Sequence, residues 1–151
     1  MATYLADTNL LLRLADPASP QHPVATKALV GLLQRGDEVF LTPQNFIEFW
    51  AVATRPVEAN GFGWSRERTA REVDELQERF PLLPDSPEVF MRWLALVKAF
   101  PIAGKRVHDA RLVAVLQAHR IEHLITFNLA DFNAFTSLKL VDPHALIVSL
   151  A

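Results

Sequence analysis

Short apolar runs typical of β-strands alternate with amphipathic helical patterns along the whole chain of 151 residues. This alternation is typical of βαβ units and a parallel sheet, and it argues against a helical bundle or an all-β sandwich. Half of the residues are hydrophobic, enough for one substantial core, and no repeat or linker divides the chain. The sequence therefore predicts a single α/β domain over residues 1–151, with about five strands. The predicted strands lie near residues 3–6, 38–41, 82–83, 124–127 and 138–141.

Helices are predicted between these strands from capping residues and apolar periodicity. Thr8 or Asn9 can cap the first helix, Thr42 precedes a proline suited to the first helical position, and Ser65 precedes a charged amphipathic stretch. The remaining predicted helices begin near His22, Pro87 and His108. No element is predicted beyond the strand that ends at Val141.

Four carboxylates occupy unusual positions in this pattern. Asp7 closes the first apolar strand, and Asp131 follows the strand that ends at Phe127. Glu48 interrupts an aromatic helix, and Asp109 opens another helix. Open α/β sheets hold their ligands at the carboxyl ends of strands. Because ionised carboxylates in one cleft repel strongly, a fold that gathers these four predicts a divalent cation among them.

Each of the four acids also has an ordinary structural explanation. Asp7 can serve only as a helix N-cap, and Asp109 is stabilised by the helix dipole whatever else it does. Glu48 can belong to a narrow solvated face or pair with Arg55, and Asp131 can be a turn residue. The functional interpretation therefore depends on the number of these acids and on their common placement.

Composition excludes several other classes of site. The absence of cysteine removes disulfide scaffolds, thiolate nucleophiles and cysteine-ligated zinc. The N-terminus has no basic region before its apolar stretch, and no apolar run approaches the roughly 20 residues that cross a bilayer, so a soluble cytoplasmic protein is expected. A net charge of −2 argues against broad nonspecific affinity for nucleic acid, although a local basic strip can coexist with it.

One short motif points to different chemistry. Residues 119–123 match H-x-x-E-H, a zinc-binding pattern of metallopeptidases. That pattern needs a continuous helix to bring both imidazoles to one metal, whereas a strand pattern begins here at about His123. His119 is better explained as a cation at the C-terminal end of a helix.

The acids lie in segments that resemble a known family. Residues 5–9 (LADTN), 45–49 (NFIEF) with 54–56 (TRP), 108–110 (HDA) and 125–132 (ITFNLADF) are similar to the successive motifs of PIN-domain nucleases, and most similar to VapC-type toxins of bacterial toxin–antitoxin pairs. The match runs in the family's order from about Ala2 to Pro143. It implies a three-layer α/β/α sandwich on a mainly parallel sheet, with the acidic cluster on Asp7, Glu48, Asp109 and Asp131.

The resemblance also implies roles for individual residues. Oxygen ligands without cysteine or convergent histidine favour Mg²⁺ or Mn²⁺. Asp7, Asp109 and Asp131 are expected to bind the metal, while Glu48 binds through water or helps to deprotonate the nucleophile. Some members carry an acid where this chain has Asn128, so the fourth acidic role falls to Asn128 or Asp131.

Further residues are candidates for supporting roles. Thr8 and Thr126 match the small hydroxyl residues that line such sites and hydrogen-bond a carboxylate or water. An acidic protein that binds RNA needs a local positive rim, although any one basic residue can equally be a solvated surface charge. The candidates for that rim are Arg13, Arg55, Lys105, Arg106 and Arg111.

The function implied by the resemblance is a metal-dependent endoribonuclease that leaves 5′-phosphate and 3′-hydroxyl ends. Its expected partners are an RNA substrate, a cognate antitoxin protein and a second copy of the chain in a homodimer. The alternative is a noncatalytic or receiver-like module whose acids bind a cation for regulation. A haloacid-dehalogenase-type phosphatase is a weaker alternative, because Asp7 is followed by Thr8 and Asn9 and D-x-D-x-T is absent.

Overall fold

The computed structural model describes residues 1–151, which form four strands, seven α-helices and two short 3-10 helices. The 3-10 helices span Val57–Ala59 and Leu129–Phe132. In chain order the strands and α-helices are β1 (Thr3–Ala6), α1 (Thr8–Ala15), α2 (His22–Arg35), β2 (Glu38–Phe40), α3 (Pro43–Thr54), α4 (Arg66–Arg79), α5 (Pro87–Ala99), α6 (Arg106–Ala118), β3 (His123–Ile125), β4 (Lys139–Val141) and α7 (Pro143–Leu150).

The four strands form one parallel sheet in the order β2-β1-β3-β4. The predicted strand at residues 82–83 does not extend this sheet as a fifth strand, because it forms only an isolated bridge between Leu82 and Leu41. Pro81 and Pro84 flank the bridge, and proline has no backbone N–H to continue a ladder. The strand count is therefore four, with the bridge at the β2 edge.

The central strand β1 divides the core into two layers. Tyr4 and Ala6 pack with buried side chains of α1, α2 and α3, whereas Leu5 packs on the opposite face with α5 and α6. Successive strand residues point to opposite faces of the sheet, so both faces of β1 are covered. The result is the three-layer α/β/α sandwich that the family resemblance implies.

Local capping explains most of the helix starts. Asp7, rather than Thr8 or Asn9, is the N-cap of α1 and accepts from the Thr8 backbone N–H. Thr42 forms a reciprocal capping box with Asn45 at the start of α3. The Ser65 side chain caps α4 by accepting from the Arg68 N–H. Asp7 therefore does serve as a cap, and its role as a site residue has to be argued from its other contacts.

The C-terminal helix α7 was not predicted from the sequence. Its N-cap Asp142 accepts from the His144 backbone N–H, and Pro143 occupies the first helical position. This Asp-Pro pair was the available start signal. The helix packs on α2, where Leu146 is buried. None of the helices combines the length and apolar character that a membrane span requires.

Asn45 joins α3 to the end of β1. Its side-chain amide donates to the Ala6 carbonyl at 3.1 Å and to the Thr8 hydroxyl at 3.0 Å, while its amide oxygen accepts from the Thr42 N–H at 2.9 Å. The residue is completely buried. Asn45 therefore fixes the helix that carries Glu48 against the strand that carries Asp7.

We expect Asn45→Ala to lower the free energy of unfolding by about 2–4 kcal/mol, because it leaves buried backbone groups of Ala6 and Thr42 without partners. The change is measured by urea denaturation. Ile47→Ala on the same helix is the control, since Ile47 is 70% exposed, and it should change stability by about 0.5 kcal/mol or less. Equal destabilisation by the two variants would show that the Asn45 bonds do not hold this junction.

Candidate active site

The site lies where the strand order reverses. From β1 the chain passes to β2 on one side of the sheet and later to β3 on the other, which opens a crevice beyond the carboxyl ends of β1 and β3. The Asp7 N–H donates to the Ile125 carbonyl at 3.0 Å, so the two strand ends are directly joined. Asp7 and the segment that leads to Asp131 therefore border the same crevice.

Asp7 is held rigidly at the base of the crevice. One carboxylate oxygen accepts from the Thr8 N–H at 2.8 Å, and the other accepts from the Thr126 hydroxyl at 2.7 Å. The Thr126 hydroxyl also accepts from the Asn128 N–H at 2.9 Å. Asp7 is only 8% exposed, and Thr126 is completely buried. The contact with Thr126 crosses between two strands, so Asp7 does more than cap α1.

Glu48 enters the crevice from α3 and is also fixed through both oxygens. The Thr8 hydroxyl donates to Oε1 at 2.7 Å, and the Gln44 amide donates to Oε2 at 3.2 Å. The ion pairs of the chain are Arg35–Asp37, Arg92–Glu88 and Arg111–Asp85, so the possible pair between Glu48 and Arg55 does not form. Glu48 is therefore held by neutral donors and keeps its charge unpaired.

Gln44 is a site residue that the sequence analysis did not identify. Its amide donates to the His108 carbonyl at 2.7 Å as well as to Glu48, and its oxygen accepts from Arg111 at 3.2 Å. Gln44 is buried and lies one helical turn before Glu48. That i, i+4 spacing was the only signal in the sequence. Gln44 connects α3 to the start of α6.

The other two acids come from short elements around the crevice. Asp109 lies in the first turn of α6 and is half-buried, and Asp131 lies in the 3-10 helix Leu129–Phe132 and is also half-buried. Asn128 is exposed and directly precedes that 3-10 helix. It contributes to the site through its backbone N–H, which donates to the Thr126 hydroxyl. The negative charge on this segment is that of Asp131.

The four acids influence one another electrostatically. Burial raises the pKa of Asp7 from 3.8 to about 6, and the charges of Glu48 and Asp131 add to this, although the hydrogen bonds from Thr126 and Thr8 oppose it. Burial also raises the pKa of Asp109, to about 7, with further increases from Asp7, Asp131 and Glu48. The fold therefore gathers the four acids into one negative cluster, at an energetic cost to the charged forms of Asp7 and Asp109.

The chemistry of these donors fits a hard divalent cation. All four side chains offer oxygen, and the chain has no cysteine, although His108 lines the same cavity as Glu48. No three histidine, aspartate or glutamate side chains are arranged as a ready-made ligand set. Mg²⁺ keeps several of its waters and is commonly held by only one or two carboxylates directly. The donor set therefore fits an ion bound by one or two of the acids, with the others reaching it through water.

The basic candidates differ in how they contact the site. Arg55 and Arg111 line a cavity of about 660 Å³ together with Thr8, Gln44 and Glu48. The positive charge of Arg106 lowers the pKa of Asp109 and so partly opposes burial and the neighbouring acids, which raise it.

Two further candidates make weaker connections. Lys105 is exposed directly before α6, beside Arg106. Arg13 lies in the last turn of α1, and its side chain bonds to none of the acids. The structure therefore brings Arg55, Arg106 and Arg111 to the site and leaves Arg13 outside it.

The H-x-x-E-H motif does not form a zinc site. His119 ends α6 and its Nε2 lies 2.8 Å from the Pro84 carbonyl, whereas His123 begins β3 and its Nδ1 lies 3.2 Å from the Thr3 carbonyl. Arg120, with φ of 55°, turns the chain between them. The two imidazoles therefore belong to different elements, as expected from the strand pattern at His123.

The sequence of the chain also matches a known domain family. Residues 4–136 match the family model of the PIN domain. The chain therefore belongs to the PIN-domain family.

Individual relatives point to a narrower group. Ribonuclease VapC24 of Mycobacterium tuberculosis is 29% identical over 145 residues, which cover 91% of this chain and 94% of the relative. VapBC2 from Rickettsia felis, bound to a DNA fragment from its promoter, has a TM-score of 0.71 at 14% identity, covering 93% of this chain and 98% of the other. A toxin–antitoxin complex from Klebsiella pneumoniae has a TM-score of 0.64 at 22% identity, covering 93% and 97%.

In the absence of divalent cations, we expect Asp109→Asn to stabilise the protein increasingly as pH rises. Asp109 has a raised pKa in the folded state, so its ionisation favours the unfolded chain between about pH 4 and 7. The variant lacks this penalty and should match the parent chain below pH 4. At pH 8 we expect its Tm to be higher by a few degrees, because each kcal/mol of added unfolding free energy raises the Tm of a chain of this size by about 2–4 °C.

Thermal melts in EDTA at pH 4 and pH 8 measure this difference. Asp74→Asn on the exposed face of α4 is the control and should give the same Tm as the parent chain at both values. A pH-independent gain in Asp109→Asn would show that the charge of Asp109 is not penalised by the cluster.

Proposed function

We propose that this chain is a Mg²⁺- or Mn²⁺-dependent endoribonuclease and the toxin of a toxin–antitoxin pair. The observation that carries the proposal is the negative cluster formed by Asp7, Glu48, Asp109 and Asp131 at the crevice of a PIN-domain sheet. The charges of Glu48 and Asp131 raise the pKa of both Asp7 and Asp109, so a cation is needed for these carboxylates to share the cleft in their charged forms. The similarity to Ribonuclease VapC24 supports RNA as the substrate.

In this proposal Asp7, Asp109 and Asp131 hold the metal, one or two of them directly and the rest through water. Bound divalent metal supplies charge neutralisation at the phosphate oxygens and lowers the pKa of water for attack on phosphorus. Asp7 is suited to a ligand role because Thr8 and Thr126 fix its two oxygens at 2.8 and 2.7 Å. Of the two candidates for the fourth acidic position, Asp131 is favoured over Asn128, because its charge acts on both Asp7 and Asp109.

Glu48 is assigned to the attacking water. Its carboxylate is oriented by Thr8 and Gln44 and has no cationic partner, so it remains free to accept a hydrogen bond or a proton. Attack of this water on phosphorus breaks the bond between phosphorus and O3′. The O3′ oxygen takes up a proton, so the products are 5′-phosphate and 3′-hydroxyl ends. Thr8 thus contributes to two acids, through its N–H to Asp7 and its hydroxyl to Glu48.

The RNA backbone is held by the basic residues of the crevice. Arg55 and Arg111 line the same cavity as Glu48 and are the first candidates for phosphate contacts. Lys105 and Arg106 extend the positive rim along the start of α6. Arg13 lies outside this rim and is the weakest candidate of the five.

The proposed partners are a cognate antitoxin and a second copy of the chain, in the cytoplasm. Ile47 is 70% exposed and Trp50 is 37% exposed on the helix that carries Glu48, and Ile47 lines the same cavity as the acid. An apolar strip beside a catalytic crevice is suited to a peptide segment that covers it. The fold likeness to chains from toxin–antitoxin complexes is consistent with such an inhibitor.

We expect Asp7→Asn and Asp109→Asn each to lower the rate of RNA cleavage by at least about 100-fold, because each removes charge from the metal site. The purified chain, freed of any bound inhibitor, is incubated with total cellular RNA in Mg²⁺ or Mn²⁺. New 5′ ends are mapped and tested for phosphate, and cleavage should stop when EDTA is added.

Asp74→Asn serves as the matched control, since it removes an aspartate charge from exposed α4 and should leave cleavage unchanged. Cleavage that persists in EDTA or in both site variants would contradict the proposal. Metal binding without any cleavage would instead favour the noncatalytic or receiver-like module.

A further inference from the structure

A second cavity, of about 300 Å³, lies between the first turns of α5 and α6. Its walls are mainly apolar, and a serine, a histidine and an arginine complete the lining. The lining includes Val89, Phe90, Trp93, Val107, His108 and Arg111. We call this cavity the aromatic pocket.

The aromatic side chains of this pocket are held in place but remain open to solvent. The Trp93 indole N–H donates to the Val107 carbonyl at 2.8 Å, which ties α5 to the first turn of α6. The ring centroid of Phe90 lies 5.9 Å from that of Trp93, with 31° between the ring planes. Phe90 is 60% exposed, whereas its neighbour Val89 is almost completely buried. A phenylalanine needed only for the core would be covered in the same way as Val89.

The aromatic pocket adjoins the acidic crevice. His108 and Arg111 line both the aromatic pocket and the larger cavity that contains Glu48, and Asp109 lies between them in sequence. The Arg111 guanidinium is fixed by Asp85 at 3.1 Å and by the Gln44 oxygen at 3.2 Å. A polymer whose reacting phosphate lies at the acids therefore passes this arginine and reaches the aromatic pocket with its next unit.

We infer that the aromatic pocket binds an unpaired nucleobase of the RNA strand, adjacent to the phosphodiester that lies at the acids. The inference rests on the proposed ribonuclease function and adds that the substrate is single-stranded at this position. Flat aromatic surfaces beside an arginine are the usual means of holding splayed bases. Lys105 and Arg106 add positive charge at the start of α6, which favours a polyanion over an apolar peptide as the occupant.

The test uses Phe90→Ala and Phe90→Tyr in the full chain. Binding is measured without divalent metal, from the fluorescence of labelled single-stranded oligouridylate and oligoadenylate. We expect Phe90→Ala to weaken binding by about tenfold, the range for loss of one stacked base, and Phe90→Tyr to restore it. Met91→Ala is the matched control, since Met91 is the next residue of α5 and 69% exposed, and it should bind as the parent chain does.

A second measurement locates the base on the RNA. In an oligonucleotide that the protein cleaves, each base beside the cut is removed in turn. At one position the abasic substitution should slow cleavage by the parent chain about tenfold but have no further effect in Phe90→Ala, since the two changes remove the same contact. A duplex of the same sequence should be cleaved poorly by all variants.

The inference is overturned if Phe90→Ala binds and cleaves RNA as Met91→Ala does. It is also overturned if Phe90→Ala weakens binding only to an inhibitor protein, since the pocket would then belong to that partner. These outcomes leave the ribonuclease proposal intact. Failure of the parent chain itself to bind or cleave RNA would remove the proposed function, and this inference with it.

Discussion

Repulsion among carboxylates in one crevice is the constraint on which the rest of this site depends. Burial and neighbouring negative charge raise the pKa of Asp7 to about 6 and that of Asp109 to about 7, so gathering these groups costs folding free energy. Burial of apolar side chains on both faces of the central strand β1 offsets this cost. The acids stand at the one edge where strand ends, helix starts and a reversal of strand order coincide.

A small set of neutral side chains keeps the acids in position. Thr8 donates to Asp7 through its backbone and to Glu48 through its hydroxyl, and Asn45 donates to that same hydroxyl. Thr126 holds Asp7 from β3, and Gln44 holds Glu48 from within α3. None of these donors carries a charge, so each orients a carboxylate without neutralising it. The cluster therefore remains available for a cation and a phosphate.

Local sequence signals predicted the elements and the acids because both follow short-range rules. Alternating apolar runs and capping residues indicated the α/β pattern, and strand ends marked Asp7 and Asp131. The third predicted strand is only a bridge between Leu82 and Leu41. The flanking prolines have no backbone N–H with which to extend the pairing. The helix α7 was not predicted although Asp142 and Pro143 signal its start, because its short and mostly apolar sequence, PHALIVSL, shows little helical periodicity.

Contacts between distant parts of the chain were beyond sequence reasoning. Gln44 meets the His108 carbonyl and Arg111 across more than sixty residues, and nothing in the local pattern distinguishes it from an exposed glutamine. The contact between Phe90 and Trp93 is compatible with helix periodicity, but the pocket they form depends on how α5 packs on α6. Among the basic residues, the sequence does not distinguish Arg111 from Arg13. The fold shows that Arg111 lines the crevice and that Arg13 does not.

The most direct test for one cation site at the four acids is a residue-resolved titration with Mn²⁺, a paramagnetic cation that broadens nearby amide resonances in NMR spectra. If the acids form one cation site, the first Mn²⁺ broadens amides around Asp7, Asp109 and Asp131, and Asp109→Asn weakens this effect. Helix α4 provides an internal comparison, because it carries the acids Glu67, Glu72, Asp74, Glu75 and Glu78 outside the crevice. Broadening that starts on α4, or that spreads evenly over all surface acids, would contradict the claim that the fold builds one cation site.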